Sequence, residues 1–283
     1  MLAVAVDLEA AAMKNPKIAA QLLSELGRAI PARRRNRDVI LAQPAELASG
    51  PLSHANLEAI RRKEGRIEFA TLGSGNHFLE MQADEEHQLW LMVHSGSRAL
   101  GQTIRDHHLC NAQLVDGRLR ALDAESDAGK EYLHDAAWAR QFAAASRKAM
   151  AEETGNLLLE TLRCDVRWET MIATDHNHVA LERHGERDLW VHRKGAMFVP
   201  QGEPGVLPGS MGSPSFHVVG RGCEEALCSS AHGAGRALSR GAARSKFTDR
   251  ELRRQMEGAW YDYRLTGKLR DEAPARTRTS VRS

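Results

Sequence analysis

A chain of 283 residues with 42% hydrophobic and 27% charged side chains carries enough apolar material for a sizeable core, which excludes wholesale disorder. The 39 Lys and Arg against 37 Asp and Glu leave a net charge of +2, so a polyanion would have to be met by a local basic patch and not by a global field. Cys110, Cys164, Cys223 and Cys228 form no CxxC pair, the start of the chain lacks the features of a signal peptide, and no apolar run approaches the roughly 18 residues of a membrane span. These features point to reduced thiols, a cytoplasmic setting and no membrane partner.

In chain order, residues 7–30 read as a helix that stops at Pro31, and residues 52–62 as a second helix with Ser53 as its N-cap. Leu79-Glu80-Met81 and residues 89–93 read as strands joined by an acidic turn at Asp84-Glu85-Glu86. Residues 94–101 read as a loop at a strand end. Residues 131–162 form the longest helical stretch, with Trp138, Phe142 and Leu158 on apolar faces and Gly155 as an interruption. Residues 168–180 are mixed. Residues 189–192 read as a strand closed by the turn Arg193-Lys194-Gly195, and residues 216–219 as another strand. Residues 200–214 read as a structured Gly/Pro-rich loop. Short helices are expected over 238–244 and 249–263, and a disordered tail over 275–283. Strands and helices without a regular βαβ rhythm make the fold class α+β, with one domain over 1–274.

Four glycine-flanked polar runs stand out. They are Gly73-Ser74-Gly75-Asn76-His77, His94-Ser95-Gly96-Ser97-Arg98, Pro208-Gly209-Ser210-Met211-Gly212, and Ser229-Ser230-Ala231-His232-Gly233-Ala234-Gly235-Arg236. Glycine beside a functional side chain allows positive φ and close approach of backbone to a ligand. His77, His94 and His176 lie beside strands or tight loops and are candidate metal ligands for Mn, Fe or Zn, although no HExxH or zinc-finger spacing is present. The run from Pro208 to Ser215 offers backbone N–H groups and hydroxyls to an anion. Arg98, Lys194, Arg236 and Arg240 sit in or beside glycine-containing runs, and a helix through Arg236 and Arg240 would put both on one face. His232 is the candidate nucleophile of a metal-assisted phosphoryl or nucleotidyl transfer.

These residues lie in runs that resemble the RtcB family of RNA ligases: LGSGNHFLE (72–80), VHSGSRALG (93–101), DHNHV (175–179), HRKGA (192–196), PGSMGSPSF (208–216) and SSAHGAGRALSR (229–240). The likeness runs from Met1 to about Pro274. It implies facing β-sheets surrounded by helices, with a central active-site cleft. It also implies joining of RNA 3′-phosphate or 2′,3′-cyclic phosphate ends to 5′-hydroxyl ends with GTP and Mn²⁺, in tRNA splicing or RNA repair. By position, His232 would be the guanylylated histidine and Asn76 a second catalytic residue. His77, His94 and His176 would be the metal ligands. Asn76, His77, Phe78, Leu79, Glu80, His176, Asn177, Pro208, Gly209, Ser210, Met211, Ser215, His232, Gly233, Ala234 and Gly235 would bind the guanylate, with Glu80 on the guanine edge. Arg98, Lys194, Arg236 and Arg240 would meet phosphates and RNA ends. A monomer is implied, and the need for an accessory activator is open.

The family normally carries an Asp-x-Gly-Cys-Gly run that completes a two-metal site, and a lysine-containing final segment. Neither is found here, so the chain is expected to be cut at both ends. Two alternatives stand beside the ligase: a non-catalytic nucleotide- or RNA-binding remnant, and a metal-dependent phosphodiesterase.

Overall fold

The structure is a computed structural model that describes residues 1–233, 235 and 237–274. The expected site residues Ala234 and Arg236 and the expected tail 275–283 lie outside the described residues. The strands are β1 (Leu2–Glu9), β2 (Phe78–Ala83), β3 (Gln88–His94), β4 (Gln113–Val115), β5 (Leu119–Ala121) and β6 (Val166–Ala173). They continue with β7 (Asn177–His184), β8 (Arg187–Lys194), β9 (Ala196–Phe198), β10 (Pro204–Leu207), β11 (Phe216–Val219) and β12 (Ser229–Ala231).

The apolar run at the start of the chain is a central strand. Leu2, Val4 and Val6 enter the main core, while Met1 and Ala3 enter a smaller cluster on the other face. Alternation with both faces buried is the mark of an interior strand. β1 lies between β3 and β6, antiparallel to both, in the order β2-β3-β1-β6. The helix expected from Asp7 therefore begins only at Pro16. It spans Pro16–Ala29, with the Asn15 side chain accepting from Lys17 N at 3.0 Å. The intervening Ala10–Lys14 is a 3-10 turn, whose alanines mimic a helix in sequence.

The hairpin β2–β3 matches its expectation, and its register sets Phe78 directly opposite His94. The helix expected over 52–62 is shorter, Ala55–Ile60, and continues as a π-helical turn. Its cap is His54, because Ser53 is engaged elsewhere: its N–H and hydroxyl both donate to the buried Asp135 carboxylate, at 2.8 and 2.7 Å. The long helix, Asp127–Leu162, is not interrupted at Gly155. A Cβ there would lie 3.0 Å from Val166 Cγ2, so glycine serves the helix–sheet approach.

The second half of the expected loop 94–101 is helical, since the helix Arg98–Asn111 begins within it. The expected loop 200–214 contains β10, which pairs with β11. This small sheet faces the four-stranded one: Val206 packs with Ala3 and Met92, and the Trp90 and His217 rings meet edge to face at 4.3 Å. The result is an α+β molecule with facing sheets. A separate apolar cluster of Ala243, Phe247, Leu252, Met256 and Tyr261 gathers the short helices Arg240–Lys246 and Asp249–Gln255. The first starts at Arg240 with Ser239 as N-cap, and the expected helix face shared with Arg236 lies outside the described residues.

The long helix packs under the central sheet through aromatic contacts. Phe142 is fully buried, stacked on Trp138 at 5.3 Å and edge-on to Phe69 at 5.6 Å. Replacing Phe142 with Ala is expected to cost about 3–5 kcal/mol of unfolding free energy in urea titration. A loss below about 1 kcal/mol would show that this cluster does not anchor the helix.

Candidate active site

Four imidazoles from four separate chain segments meet in one row. His77 precedes β2, His94 ends β3, His176 joins β6 to β7, and His232 follows β12. His77 and His94 meet edge to face at 5.6 Å, His94 and His176 at 5.0 Å, and His176 stacks on His232 at 4.6 Å with 14° between planes. The Phe78 ring covers His94 at 5.3 Å. All four histidines singled out from sequence are thus neighbours.

His94 Nε2 and His176 Nε2 face each other at 3.3 Å. Burial, with neighbouring positive groups, pushes the His94 ring down to about 2 and His176 to about 3. His77 falls to about 4, through burial and then the Arg98 guanidinium. All three are neutral near pH 7, the state in which an imidazole nitrogen can bind a cation. The 3.3 Å separation suits two nitrogens about 2.1 Å from one shared ion. Among the described residues, however, no three His, Cys, Asp or Glu side chains form a metal-holding group. Cys164 is in the core, Cys110 and Cys223 are exposed, and Asp175 is engaged by two arginines. The histidines fit the nitrogen part of a site for a divalent ion, without an anionic donor.

His232 is held from the hairpin β7–β8. Its Nδ1–H donates to Gly195 O at 2.6 Å. A carbonyl only accepts, so Nδ1 carries the proton and Nε2 carries the lone pair. Gly195 is itself pinned, since its N–H donates to His176 O at 2.7 Å and to Asn177 Oδ1 at 3.1 Å. It has φ +77°, and a Cβ there would lie 3.1 Å from the His232 ring. Lys194, one residue earlier, is exposed and opposite Asn177 in the hairpin register.

Arg98 opens its helix at φ +60°, a left-handed conformation that costs a non-glycine residue about 1–2 kcal/mol. Its guanidinium donates to Thr71 Oγ1 at 3.1 Å and Ala32 O at 3.3 Å, and lies 3.5 Å from His77 Nδ1. Gly73 leaves the space for both, because a Cβ there would meet His77 Nδ1 at 2.0 Å and Arg98 at 2.3 Å. The Arg240 guanidinium lies against Gly75, beside the exposed Asn76, and pairs with Glu272 at 3.5 Å.

A second polar group links β2 to the expected anion loop. Glu80 accepts from Gln82 Nε2, which also donates to Ser215 Oγ at 3.0 Å, and Ser215 Oγ accepts from Gly209 N at 3.1 Å. Burial pushes the Glu80 carboxyl up to about 7, partly offset by the Gln82 bond. The Ser210 N–H donates to Ser213 Oγ at 2.7 Å. The N–H groups of Gly209 and Ser210 are therefore already taken within the loop, and would have to exchange partners to hold an anion. Met211 anchors the loop in the apolar cluster around Met256, while Leu79 packs on the main core, so its side chain is turned away from any ligand. Pro208 is buried beneath Gly233, where a Cβ would lie 3.4 Å from Pro208 O.

Sequence reasoning missed the residues beneath the row. Arg147, on the long helix and 4% exposed, donates to Ser95 O at 3.1 Å and Asp175 Oδ1 at 2.8 Å. Burial alone would raise the Asp175 pKa, but Arg147 and Arg140 hold it below the usual carboxylate range. Ser95 in turn donates to Leu72 O at 2.7 Å. An arginine in an alanine-rich helix carries no local signal for this. Only the flanking Ser and Asp in the histidine runs hinted at it.

A family model described as "tRNA-splicing ligase RtcB" matches residues 3–278. The chain is 38% identical over 218 residues to the RNA-splicing ligase RtcB of Escherichia coli K12, covering 72% of this chain and 53% of that protein. It is 31% identical over 275 residues to the tRNA-splicing ligase RtcB of Archaeoglobus fulgidus, covering 80% of this chain and 57% of that protein. The RNA-splicing ligase RtcB of Mycobacterium tuberculosis is 31% identical over 222 residues, covering 64% and 50%. The chain therefore spans about half the length of these relatives.

Replacing Gly195 with Ala places a side chain in left-handed backbone against the His232 ring. The expected loss is about 1–2 kcal/mol of stability, with a shifted His232 imidazole signal in NMR. An unchanged His232 signal would show that Gly195 does not hold the ring.

Proposed function

This chain belongs to the RtcB tRNA-splicing ligase family, and from that premise we propose that it joins RNA 3′-phosphate or 2′,3′-cyclic phosphate ends to 5′-hydroxyl ends, using GTP and a covalent histidine–GMP intermediate. The observation that carries this reading is the Gly195 carbonyl on His232 Nδ1, which leaves Nε2 as the nucleophilic lone pair. In the first step Nε2 attacks the α-phosphorus of GTP. A P–N bond forms, the P–O bond to the β-phosphate breaks, and pyrophosphate leaves. A 2′,3′-cyclic end is first opened by water to a 2′-hydroxyl and a 3′-phosphate. A 3′-phosphate oxygen then attacks the guanylate phosphorus, forming a P–O–P bond as the P–N bond breaks, and the 5′-hydroxyl attacks the RNA phosphorus, forming the phosphodiester as GMP leaves.

Arg98, Lys194 and Arg240, with Arg236, would neutralise phosphates, and Asn76 lies on the same loop as Gly75, which Arg240 contacts. Phe78, Glu80, Asn177 and the loop from Pro208 to Ser215 would hold the nucleotide, with the Glu80 carboxylate accepting from the guanine N–H groups. His94 and His176, with His77 adjacent, would hold Mn²⁺, which when bound supplies positive charge to the phosphates. The proposed setting is the cytoplasm, the partner an RNA with broken ends, and the catalytic unit a single domain over residues 1–274.

A second reading is binding of guanine nucleotide and RNA without joining. One observation favours it: no carboxylate or thiolate converges with the histidines among the described residues. Incubation with GTP labelled at the α-phosphate and Mn²⁺ separates the two. The ligase reading expects an acid-labile label on the wild-type chain, lost in H232A. A folded wild-type chain with no label would leave only the binding reading.

The Glu80 carboxyl adds a pH test. Free, it is half protonated near pH 7. Guanine donors bind the ionised form, so nucleotide binding lowers its pKa and releases a proton. Affinity for GMP is expected to rise with pH from 5 to about 7 and then level off. Calorimetry in buffers of different ionisation enthalpy would read the proton. An E80Q variant that keeps the same slope would remove Glu80 from the guanine site.

A further inference from the structure

The His94–His176 contact joins two loops far apart in sequence, and neither loop orders the other directly. Backbone pairing of Leu2 with both Val93 and Ala173 brings the two strand ends together, and beneath them one buried side chain connects the loops themselves. Arg147 Nη1 donates to Ser95 O at 3.1 Å, one residue after His94. Arg147 Nη2 donates to Asp175 Oδ1 at 2.8 Å, one residue before His176. The other Asp175 oxygen accepts from Arg140 Nε at 2.6 Å, about two turns earlier on the same helix. Ser95, 1% exposed, extends the connection by donating to Leu72 O, at the start of the run that carries His77.

We infer that Arg147 is a positioning residue: its guanidinium, spanning Ser95 O and Asp175 Oδ1, sets the separation of the His94 and His176 imidazoles. A planar fork with two parallel donors can hold two acceptors at a fixed distance. A lysine ammonium is a point charge and cannot reproduce that span. Arg147→Lys therefore keeps the charge and removes the gauge. The inference rests on the proposed reading only in assigning the imidazole pair to a divalent ion.

The test uses the full chain and a readout that needs no metal. Diethyl pyrocarbonate labels neutral imidazoles according to access, and mass spectrometry locates the label. His94 is 4% exposed, and His108 is 2% exposed in a separate network, bonded to Asp135 Oδ2 at 2.8 Å. In folded R147K, His94 labelling is expected to rise at least about tenfold while His108 stays protected. D175N serves as the second variant, with the same selectivity expected. In parallel, Co²⁺ is titrated and its visible absorption bands recorded. R147K is expected to weaken Co²⁺ binding by about 10–100-fold and to alter the bands. R61K, which disturbs a buried arginine bonded to Glu58 away from the row, is expected to leave both readouts unchanged.

Wild-type protection of His94 in both R147K and D175N would overturn the inference. Equal rises at His94 and His108 in both variants would do the same, by assigning the guanidinium a general structural role. If the wild-type chain binds no Co²⁺ but His94 labelling is selective, the metal reading fails and the positioning role stands.

Discussion

The site depends on one buried cation. The Arg147 guanidinium lies almost out of reach of water, where an unpaired charge would cost several kcal/mol. It is tolerated because Asp175 offers a carboxylate and Ser95 a carbonyl, each in hydrogen-bonding range. That requirement constrains the chain. The residue after His94 and the residue before His176 both reach the same guanidinium, and the two rings meet edge to face above it. From Ser95 the network continues to Leu72, and from Thr71 to Arg98 and His77. From His176 it continues through Gly195 to His232. Four loops are thereby joined by hydrogen bonds to one helix that is itself fixed by Phe142 and Trp138 in the core.

The hairpin β2–β3 and the strand β8 were legible in sequence, for a physical reason, whereas β6, β7 and β12, which flank His176 and His232, were not. The alternating Leu79-Glu80-Met81 and the continuous apolar run 89–93 flank an acidic turn, and the hairpin needs nothing more distant to define it. The histidine and glycine runs were legible because four of them occur in one chain and because they resemble the runs of a known family. β1 was not legible, since an apolar run followed by alanines satisfies helix and strand patterns alike. Its choice is settled by β3 and β6, which lie far along the chain. Ser53 failed as a cap for a similar reason: a residue 82 positions away, Asp135, offers its N–H and hydroxyl a better acceptor. Arg147 was invisible because what defines it is the pair of loops it touches, not its neighbours in sequence.

Arg98, one of seven described non-glycine residues with positive φ, holds a left-handed conformation at the helix start, and Gly195 holds one at the hairpin end, which glycine adopts without steric cost. In both places the backbone geometry positions a group that another conformation would move away. Relaxing Arg98 would withdraw its guanidinium from His77 and Thr71. Turning Gly195 out of its conformation would withdraw the carbonyl that fixes the His232 tautomer. At Arg98 the local cost is thus offset by long-range hydrogen bonds, the pattern expected where backbone geometry serves chemistry.

The charge balance explains what kind of ligand completes this arrangement. His77, His94 and His176 form a desolvated strip, and the cations acting on it outnumber the anions: Arg98, Arg240 and Arg147 all depress His77. Asp175 is the acidic residue that acts on His176, and it is engaged by two arginines. Such a strip cannot gain a proton cheaply, because the added charge would face guanidiniums across low-dielectric surroundings. It can gain an anion, whose charge those same guanidiniums would stabilise. A phosphate meets that demand, and its arrival beside His232 would place an electrophilic phosphorus next to a nitrogen whose lone pair is already freed. The same positive surroundings that keep the imidazoles neutral would then draw in the group that the proposed nucleophile attacks.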